Sequence, residues 1–215
     1  MKKGKFITFE GIEGSGKTLQ LSRVEDELVR RGIPSLTTLE PGGTKFGAEV
    51  REVLLRAEGA DREPVAELLL YLADRFQHLK EVVEPALAED LVVLSDRYHD
   101  ATLAYQGHAR SVGLKFIDAL AQQLGLITPD LTLVFDIDVP TGLSRARERN
   151  RITQNEAQGR FEEESLNFHR RVREGYLLLA HNAPGRIQIV EGSGTPEEVF
   201  ARTWAIVAKK LEIGH

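Results

Sequence analysis

The sequence contains no cysteine among its 215 residues. Disulfide bonds, thiolate nucleophiles and cysteine-ligated zinc or iron–sulfur sites are therefore excluded, which argues against a redox function. It also lacks any apolar run close to the roughly 20 residues of a membrane span, and its start, Met1 to Gly4, carries no signal-peptide core. We therefore expect a cytoplasmic protein with no membrane partner.

The chain also has no excess of positive charge. Its 28 Lys and Arg residues stand against 33 Asp and Glu residues, and the net charge of −5 argues against a protein that mainly coats nucleic acid. Of the cationic residues, however, 19 are Arg and only 9 are Lys. Arginine binds phosphate and carboxylate groups through a planar, two-pronged set of N–H donors. The skew therefore raises the question of which anions these arginines bind.

Short apolar segments alternate along the chain with segments of helical periodicity. A composition of 41% hydrophobic and 28% charged residues is typical of a globular protein, and the length fits one domain over residues 1–215. This alternation predicts an α/β fold, a doubly wound five-stranded parallel sheet with helices on both faces. The predicted strands are Lys5–Phe9, Ser35–Leu39, Leu91–Leu94, Leu131–Phe135 and Ile187–Val190.

A glycine-rich motif follows the first predicted strand and opens the first predicted helix. Residues 11–18 read GIEGSGKT, which matches the phosphate-loop pattern G-x-x-x-x-G-K-[ST]. In such a loop the backbone N–H groups and the helix N-terminus face phosphate oxygens, Lys17 reaches the β- and γ-phosphates, and Thr18 offers its hydroxyl to Mg²⁺. The alternative is a glycine turn without chemistry, but the strand–loop–helix context favours a phosphate-binding site. The predicted ATP-binding residues are Gly11, Ile12, Glu13, Gly14, Ser15, Gly16, Lys17 and Thr18.

A phosphate loop alone does not separate a switch, a motor and a metabolic kinase. The sequence has no Asn-Lys-x-Asp element, so a guanine-specific GTPase would lack its base-recognition feature. It also has no long accessory region of the kind found in motors and helicases. These absences favour a small kinase.

Six segments, in order along the chain, resemble the bacterial thymidylate kinase family. They are Phe9–Thr18, Glu40–Thr44, Leu72–His78, Ser95–Tyr98, Ala104–Gly107 and Pro129–Thr132. The resemblance covers most of the chain. It implies a P-loop NTPase fold, Mg²⁺-dependent transfer of the ATP γ-phosphate to dTMP, and a homodimer. It also suggests a cis peptide bond before Pro41.

The resemblance implies residue roles at the phosphate end of the site. Arg97, which follows a buried strand, and Arg51 are similar to the pair that binds the acceptor monophosphate. Asp96 is similar to the acidic residue near Mg²⁺ and the phosphates, so Thr18 and Asp96 form the implied metal site. The alternatives are a salt-bridge partner for Arg97 and a structural cap for Asp96.

Further roles are implied at the nucleoside end. Tyr71 is similar to the ring that stacks on thymine, Arg75 to the residue that hydrogen-bonds a thymine carbonyl, and Gln106 to the amide that contacts the base edge. Tyr105 is similar to the ring that crowds the sugar 2′ position, and Glu13 to the acid that contacts the 3′-hydroxyl. Core packing is the alternative for Tyr71, and a solvent-facing loop residue the alternative for Glu13. Glu40 and Thr102 complete the implied substrate site.

An arginine-rich region is predicted to form a mobile lid at about 145–161. Eight arginines lie between Arg145 and Arg173, around the polar stretch 150–159. Family members without an arginine in the phosphate loop supply one from the lid, and Gly14-Ser15 leaves this loop without one. Arg149, Arg151 and Arg160 are the candidates, with no basis for choosing one, and they join Lys17, Asp96 and Arg97 in the predicted catalytic set. Arg170, Arg171 and Arg173 are predicted to lie on a solvated helix face.

One position departs from the family pattern, since Leu39 stands where bacterial relatives usually have arginine before Glu-Pro-Gly-Gly. Two other functions remain open. One is a kinase of another nucleoside monophosphate, against which Tyr105 and Gln106 argue. The other is a nucleotide-binding module without turnover, against which the intact phosphate loop and Asp96-Arg97 argue.

Overall fold

Five parallel strands form one sheet in a computed structural model that describes residues 4–56, 62–153 and 164–213. The strands are β1 (Lys5–Gly11), β2 (Ser35–Leu39), β3 (Val92–Asp96), β4 (Leu131–Asp136) and β5 (Ile187–Glu191). Their order across the sheet is β2-β3-β1-β4-β5, and the register places Phe9 beside Asp96. The predicted parallel sheet is therefore confirmed, and its central strand leads into the phosphate loop.

Helices cover both faces of the sheet. Within the described residues they are α1 (Lys17–Arg30), α2 (Lys45–Leu55), α3 (Pro64–His78), α4 (Glu84–Ala88), α5 (His99–Thr102), α6 (Leu114–Gln123), α7 (Val139–Thr153), α8 (Leu166–Asn182) and α9 (Pro196–Lys210). Two π-helical segments, Leu79–Val83 and Leu103–Ala109, continue α3 and α5. None of the helices in this part of the chain combines the length and the apolar character needed to cross a membrane.

The helical segment 99–109 lacks the periodic spacing of apolar residues that marks the other helices. Almost every residue from Asp100 to Ala109 is buried, including the polar side chains of Thr102 and Gln106. A helix buried on all sides shows no alternation of apolar and polar residues, and that alternation is the usual sequence signal. The sequence therefore gives no periodic signal for the segment that carries three predicted substrate residues, Thr102, Tyr105 and Gln106.

Side chains of the central strands alternate between two cores. Ile7 and Phe9 of β1 pack with α1 and α9, in a cluster that includes Leu28 and Val207. On the opposite face, α8 packs over β4 and the segment 103–109 through residues such as Tyr176. This face also contains a polar chain in which Asp100 accepts hydrogen bonds from Thr132 at 2.8 Å and Arg186 at 2.6 and 2.9 Å. The chain ties α5 to the sheet directly below the site.

Several apolar residues with helical spacing point away from the core. Leu19 and Val29 of α1, Val53 of α2, and Leu69 and Phe76 of α3 are all exposed. Their neighbours Val24, Leu54 and Leu72 are buried, so the periodicity locates each helix correctly but overestimates the width of its buried face. The exposed members on α2 and α3 lie on two helices that pack against each other.

Candidate nucleotide site

The loop between β1 and α1 has the backbone of a phosphate cradle. Gly14 and Gly16 adopt positive φ angles of 70° and 89°, which glycine reaches without strain. A Cβ on Gly14 would lie 1.9 Å from the carbonyl oxygen of Gly142 in α7, so glycine is also required by close packing. Gly16 is the N-cap of α1 and supplies no side chain to the first turn, whose N–H groups therefore stay available to an anion.

A cavity of about 460 Å³ opens beside this loop at the carboxyl ends of the strands, the edge at which α/β sheets bind ligands. The volume is in the usual range for small-molecule sites. Most of the predicted catalytic, substrate and metal residues line it together. They are Glu13, Lys17, Thr18, Glu40, Arg51, Tyr71, Arg75, Asp96, Arg97, Thr102, Tyr105, Gln106 and Arg149.

Lys17, Thr18 and Asp96 meet at the end of the cavity nearest the loop. The Thr18 hydroxyl donates a hydrogen bond to Asp96 Oδ2, and Lys17 Nζ lies 4.0 Å from Asp96 Oδ1. Burial, together with the nearby Arg97, lowers the pKa of Lys17. A carboxylate and a hydroxyl are hard oxygen donors of the kind that bind Mg²⁺ alongside water and substrate phosphates. The residues present therefore fit this ion.

Arg97 is held in place from three directions. Its Nη2 donates to Glu13 Oε1 at 3.0 Å and to the Tyr105 hydroxyl at 3.1 Å, while Nη1 donates to the Tyr176 hydroxyl at 3.1 Å. Its backbone φ of 73° is rare for a residue with a side chain. Such a conformation costs about 1–3 kcal/mol and persists only when surrounding contacts impose it. The Arg97 guanidinium is therefore held in one position at the cavity wall.

Glu13 is held by a histidine that sequence reasoning missed. His169 of α8 is fully buried, and its Nδ1 lies 3.2 Å from Glu13 Oε2. Burial alone would raise the pKa of Glu13, but the contact with His169 and the charges of Arg97 and Lys17 hold it well below its ordinary value. Glu13 is therefore ionised. His169 had no distinguishing signal, since it sits within an arginine-rich amphipathic helix.

The guanidinium of Arg75 is buried in a polar chain at the other end of the cavity. It donates from Nε to Glu40 Oε2 at 2.7 Å, from Nη1 to Thr102 at 2.6 Å and from Nη2 to the Tyr98 carbonyl at 2.9 Å. His78 Nδ1 lies 2.7 Å from the other Glu40 oxygen. Glu40 and Thr102 therefore line the cavity while their side chains also hold Arg75. The Glu40–Pro41 peptide bond is cis, in agreement with the resemblance.

Between these two ends the cavity wall contains aromatic, charged, amide and apolar side chains. Half-buried Tyr71 faces the cavity, and Arg51 lines it while donating from Nη1 to the Pro41 carbonyl at 2.8 Å. Gln106 is almost completely buried and donates from Nε2 to Glu67 at 2.8 Å. Leu39, the departure from the family pattern, is 40% exposed at the rim. Its apolar side chain adds no charge there.

The structure separates the candidate arginines of the predicted lid. Arg149 lines the cavity, whereas Arg151 is 73% exposed, lies outside it and pairs with Glu148 at 3.0 and 2.7 Å. Arg160 lies outside the described residues, as does much of the predicted lid. Arg170 is exposed, in agreement with the prediction of a solvated face, whereas Arg171 and Arg173 are half-buried and make directed contacts. Because α8 packs along the segment 103–109 and β4, they bind the His108 carbonyl at 2.8 Å and the Asp136 carboxylate at 2.6 and 2.8 Å.

A second missed residue, Glu10, lies fully buried in β1 beneath the site. One carboxylate oxygen accepts a hydrogen bond from the Tyr98 N–H at 2.7 Å, and the other from the Tyr176 hydroxyl at 2.8 Å. Burial, with a smaller contribution from Asp100, raises its pKa from 4.5 to about 8. The signal was present in the sequence, since Glu10 is a carboxylate at the end of an apolar strand.

Comparisons with known proteins agree with this geometry. A sequence model described as "Thymidylate kinase" matches residues 9–203. The thymidylate kinase of Syntrophotalea carbinolica is 47% identical over 209 residues, with 97% of each chain covered. That of Nitratidesulfovibrio vulgaris is 50% identical over 197 residues, covering 91% of this chain and 92% of the relative. Among solved structures, thymidylate kinase from Ehrlichia chaffeensis is similar with a TM-score of 0.75 and 28% identity, over 95% of this chain and 99% of that one.

The raised pKa of Glu10 predicts a pH-dependent stability. Because the folded state binds this proton more tightly than the unfolded chain, its stabilising contribution is complete below about pH 4.5 and is lost as the pH rises through about 8. In Glu10→Gln the neutral amide removes this dependence. Urea unfolding between pH 5 and 8 should show the stability of the wild type falling relative to the variant. Parallel curves would contradict the assignment, and exposed Glu89→Gln is the matched control.

Proposed function

The chain belongs to the thymidylate kinase family, and we propose that its cavity is where this dTMP kinase transfers the ATP γ-phosphate to dTMP. The products are ADP and dTDP, a step in dTTP synthesis. The observation that carries the assignment is one cavity lined both by Lys17 and Thr18 of the phosphate loop and by Tyr71, Arg75 and Gln106. A donor-phosphate site and a nucleoside-sized pocket thus share one space.

The donor end of the cavity is suited to hold the ATP phosphates. Loop N–H groups at the N-terminus of α1 and the Lys17 ammonium face the same point as Asp96. Thr18 and Asp96 would hold Mg²⁺, which when bound neutralises charge on the phosphate oxygens. The site residues themselves contribute position and charge, since phosphoryl transfer requires little covalent work from a protein.

The acceptor end places arginines where the dTMP phosphate is to bind. Arg97 and Arg51 line the same wall, and Arg97 is held rigidly by Glu13 and two tyrosines. The acceptor phosphate already carries negative oxygens, so no general base is needed. Fixed positive groups that hold two anions in line lower the barrier by orientation and by charge stabilisation.

The nucleoside end supplies hydrogen-bond donors and a stacking ring. Arg75 has five N–H donors, of which three bind Glu40, Thr102 and the Tyr98 carbonyl, so two are available for a thymine carbonyl. We assign Tyr71 to the base, Tyr105 to the region of the sugar 2′ position, and Glu13 to the 3′-hydroxyl. The exposure of these residues to one cavity supports each assignment.

Arg149 is the lid arginine that we assign to the transferring phosphate. Its place in the cavity wall favours it over Arg151, which lies outside. The lid over about 145–161 and the cytoplasmic location remain predictions from the sequence.

We also propose a homodimer that forms through α2 and α3. Large apolar side chains are concentrated on the exposed sides of these two packed helices, and such patches are typical of protein interfaces. They are Phe46, Val53, Val65, Leu69 and Phe76.

A panel of acceptors tests the proposed function. With ATP and Mg²⁺, we expect dTMP to be phosphorylated at least about 100-fold more efficiently than CMP or AMP, since a site that hydrogen-bonds one base leaves its buried polar groups unpaired with another. Uracil has the same hydrogen-bonding edge as thymine, so weak turnover of UMP would instead reflect crowding of the ribose 2′-hydroxyl by Tyr105. ADP release with dTMP and dUMP measures selectivity for the methyl group. Comparable turnover of CMP or AMP would indicate another nucleotide kinase, and joint binding of ATP and dTMP without dTDP would indicate a binding module.

Arg97→Ala tests the acceptor site separately. Loss of a fixed charge at the transferring group is expected to lower kcat/KM for dTMP by about 10²–10³-fold, while the dissociation constant of ATP stays within about twofold, because Lys17 and the loop are intact. Arg23→Ala, which removes a half-buried arginine paired with Glu197, is the control. Near-normal turnover of Arg97→Ala would refute its role.

Leu69→Asp tests the dimer. Leu69 is 52% exposed and belongs to this apolar set, so a charge buried there at an interface is expected to produce monomers in sedimentation equilibrium. The matched control is Val29→Asp, which changes a 67% exposed residue on α1 and is expected to remain dimeric. A wild-type monomer, or a dimeric Leu69→Asp, would contradict the proposed interface.

A further inference from the structure

Glu67 is a buried carboxylate with no part in the reaction described above. It lies on α3, is 1% exposed, and does not line the cavity. Its Oε1 accepts hydrogen bonds from Gln106 Nε2 at 2.8 Å and from Arg110 Nε at 3.2 Å. Burying a carboxylate is costly unless it is paired and hydrogen-bonded, so these contacts determine what Glu67 can do.

Arg110 keeps Glu67 in its charged form. The guanidinium is itself fixed by Glu164, which accepts a hydrogen bond from Nη2 at 2.6 Å, and by the Phe168 ring, whose centroid lies 4.7 Å away. Next to a permanently charged group, a carboxylate remains ionised and has no proton to donate. Glu67 is therefore an acceptor only.

This charge determines the orientation of the Gln106 amide. An amide has a donating NH₂ group on one side and an accepting oxygen on the other. Because Glu67 only accepts, the NH₂ group must face it, and the carbonyl oxygen is directed away. Within the described residues that oxygen accepts no hydrogen bond, and the Gln106 side chain lines the cavity. The oxygen is thus available to a ligand.

We propose that Glu67 is a positioning residue that selects the base by fixing Gln106 with its carbonyl oxygen towards the nucleoside pocket. This inference rests on the proposed function. An acceptor fixed there pairs with a pyrimidine that carries an N–H at ring position 3, as thymine and uracil do. Cytosine presents a lone pair at that position, and two acceptors facing each other repel. Discrimination against cytosine is therefore imposed from outside the pocket, by the charge of Glu67.

Glu67→Leu tests the proposal by removing the acceptor. Glu67→Gln would not, because Arg110 Nε and Gln106 Nε2 donate to the same oxygen, and Arg110 would keep the amide oxygen of a glutamine at that position. In Glu67→Leu no acceptor holds the NH₂ group, so Gln106 is free to rotate and to offer this group to cytosine N3. We expect the ratio of kcat/KM for dTMP to that for dCMP to fall at least about tenfold, a factor set by one hydrogen-bonding pair. The change should lie mainly in the two KM values, with KM for ATP unchanged. Glu63→Leu, which changes an exposed residue just before the same helix, is the matched control.

A double-variant cycle separates positioning from a general structural effect. In a Gln106→Ala background no amide remains to be oriented, so adding Glu67→Leu is expected to leave the dTMP to dCMP ratio unchanged. If Glu67→Leu does not fold by circular dichroism, Glu67→Ala, which also removes the acceptor, replaces it, and its ratio is expected to shift in the same direction.

The outcomes distinguish this inference from the proposed function. A wild type without dTMP turnover overturns the proposed function. A wild type that prefers dTMP, with the same ratio in whichever single variant folds, overturns only the role of Glu67. A ratio that shifts equally with and without Gln106 also overturns it.

Discussion

The carboxylate of Glu13 joins four parts of the chain that are distant in sequence. It belongs to the phosphate loop, pairs with Arg97 after β3, accepts from Tyr105 at 2.6 Å and lies 3.2 Å from His169 on α8. A buried charge is tolerated only when it is paired and hydrogen-bonded. The positions of the phosphate loop, Arg97 and the Tyr105 ring therefore depend on one another through this one carboxylate.

A similar constraint explains the excess of arginine over lysine. Four arginines that are buried or half-buried each make two or more directed hydrogen bonds, and a planar guanidinium supports this better than a flexible ammonium. They are Arg75, Arg97, Arg110 and Arg186. Many of these bonds go to buried carboxylates rather than to the cavity. The excess of arginine over lysine thus reflects the hydrogen bonds that hold the site together as much as the ligands that it binds.

The sequence predicted the sheet and the phosphate loop because these have local signals, such as the continuous apolar run of β4 and the spacing of residues 11–18. Most of the other cavity residues, Tyr71 and Gln106 among them, were implied by the family resemblance instead. It did not predict the segment 99–109, which is buried on all sides, or the partners His169, Glu10 and Glu67, whose roles depend on chain segments far away in sequence. Residue types at single positions indicate what can touch a ligand. The pairing of a buried acid with the donor that it orients, such as Glu67 with Gln106, forms only when the helices pack against one another.

The balance of charge in the cavity determines how much further positive charge is needed to bind two phosphorylated nucleotides. Its wall contains five cationic side chains and the carboxylates of Glu13, Glu40 and Asp96. Glu40 binds Arg75 and Glu13 binds Arg97, so much of the positive charge is already compensated before nucleotides arrive. Leu39 adds none at the rim. Two phosphorylated nucleotides carry more negative charge than the remaining cations neutralise. The divalent cation proposed at Thr18 and Asp96 would supply positive charge that these five side chains do not.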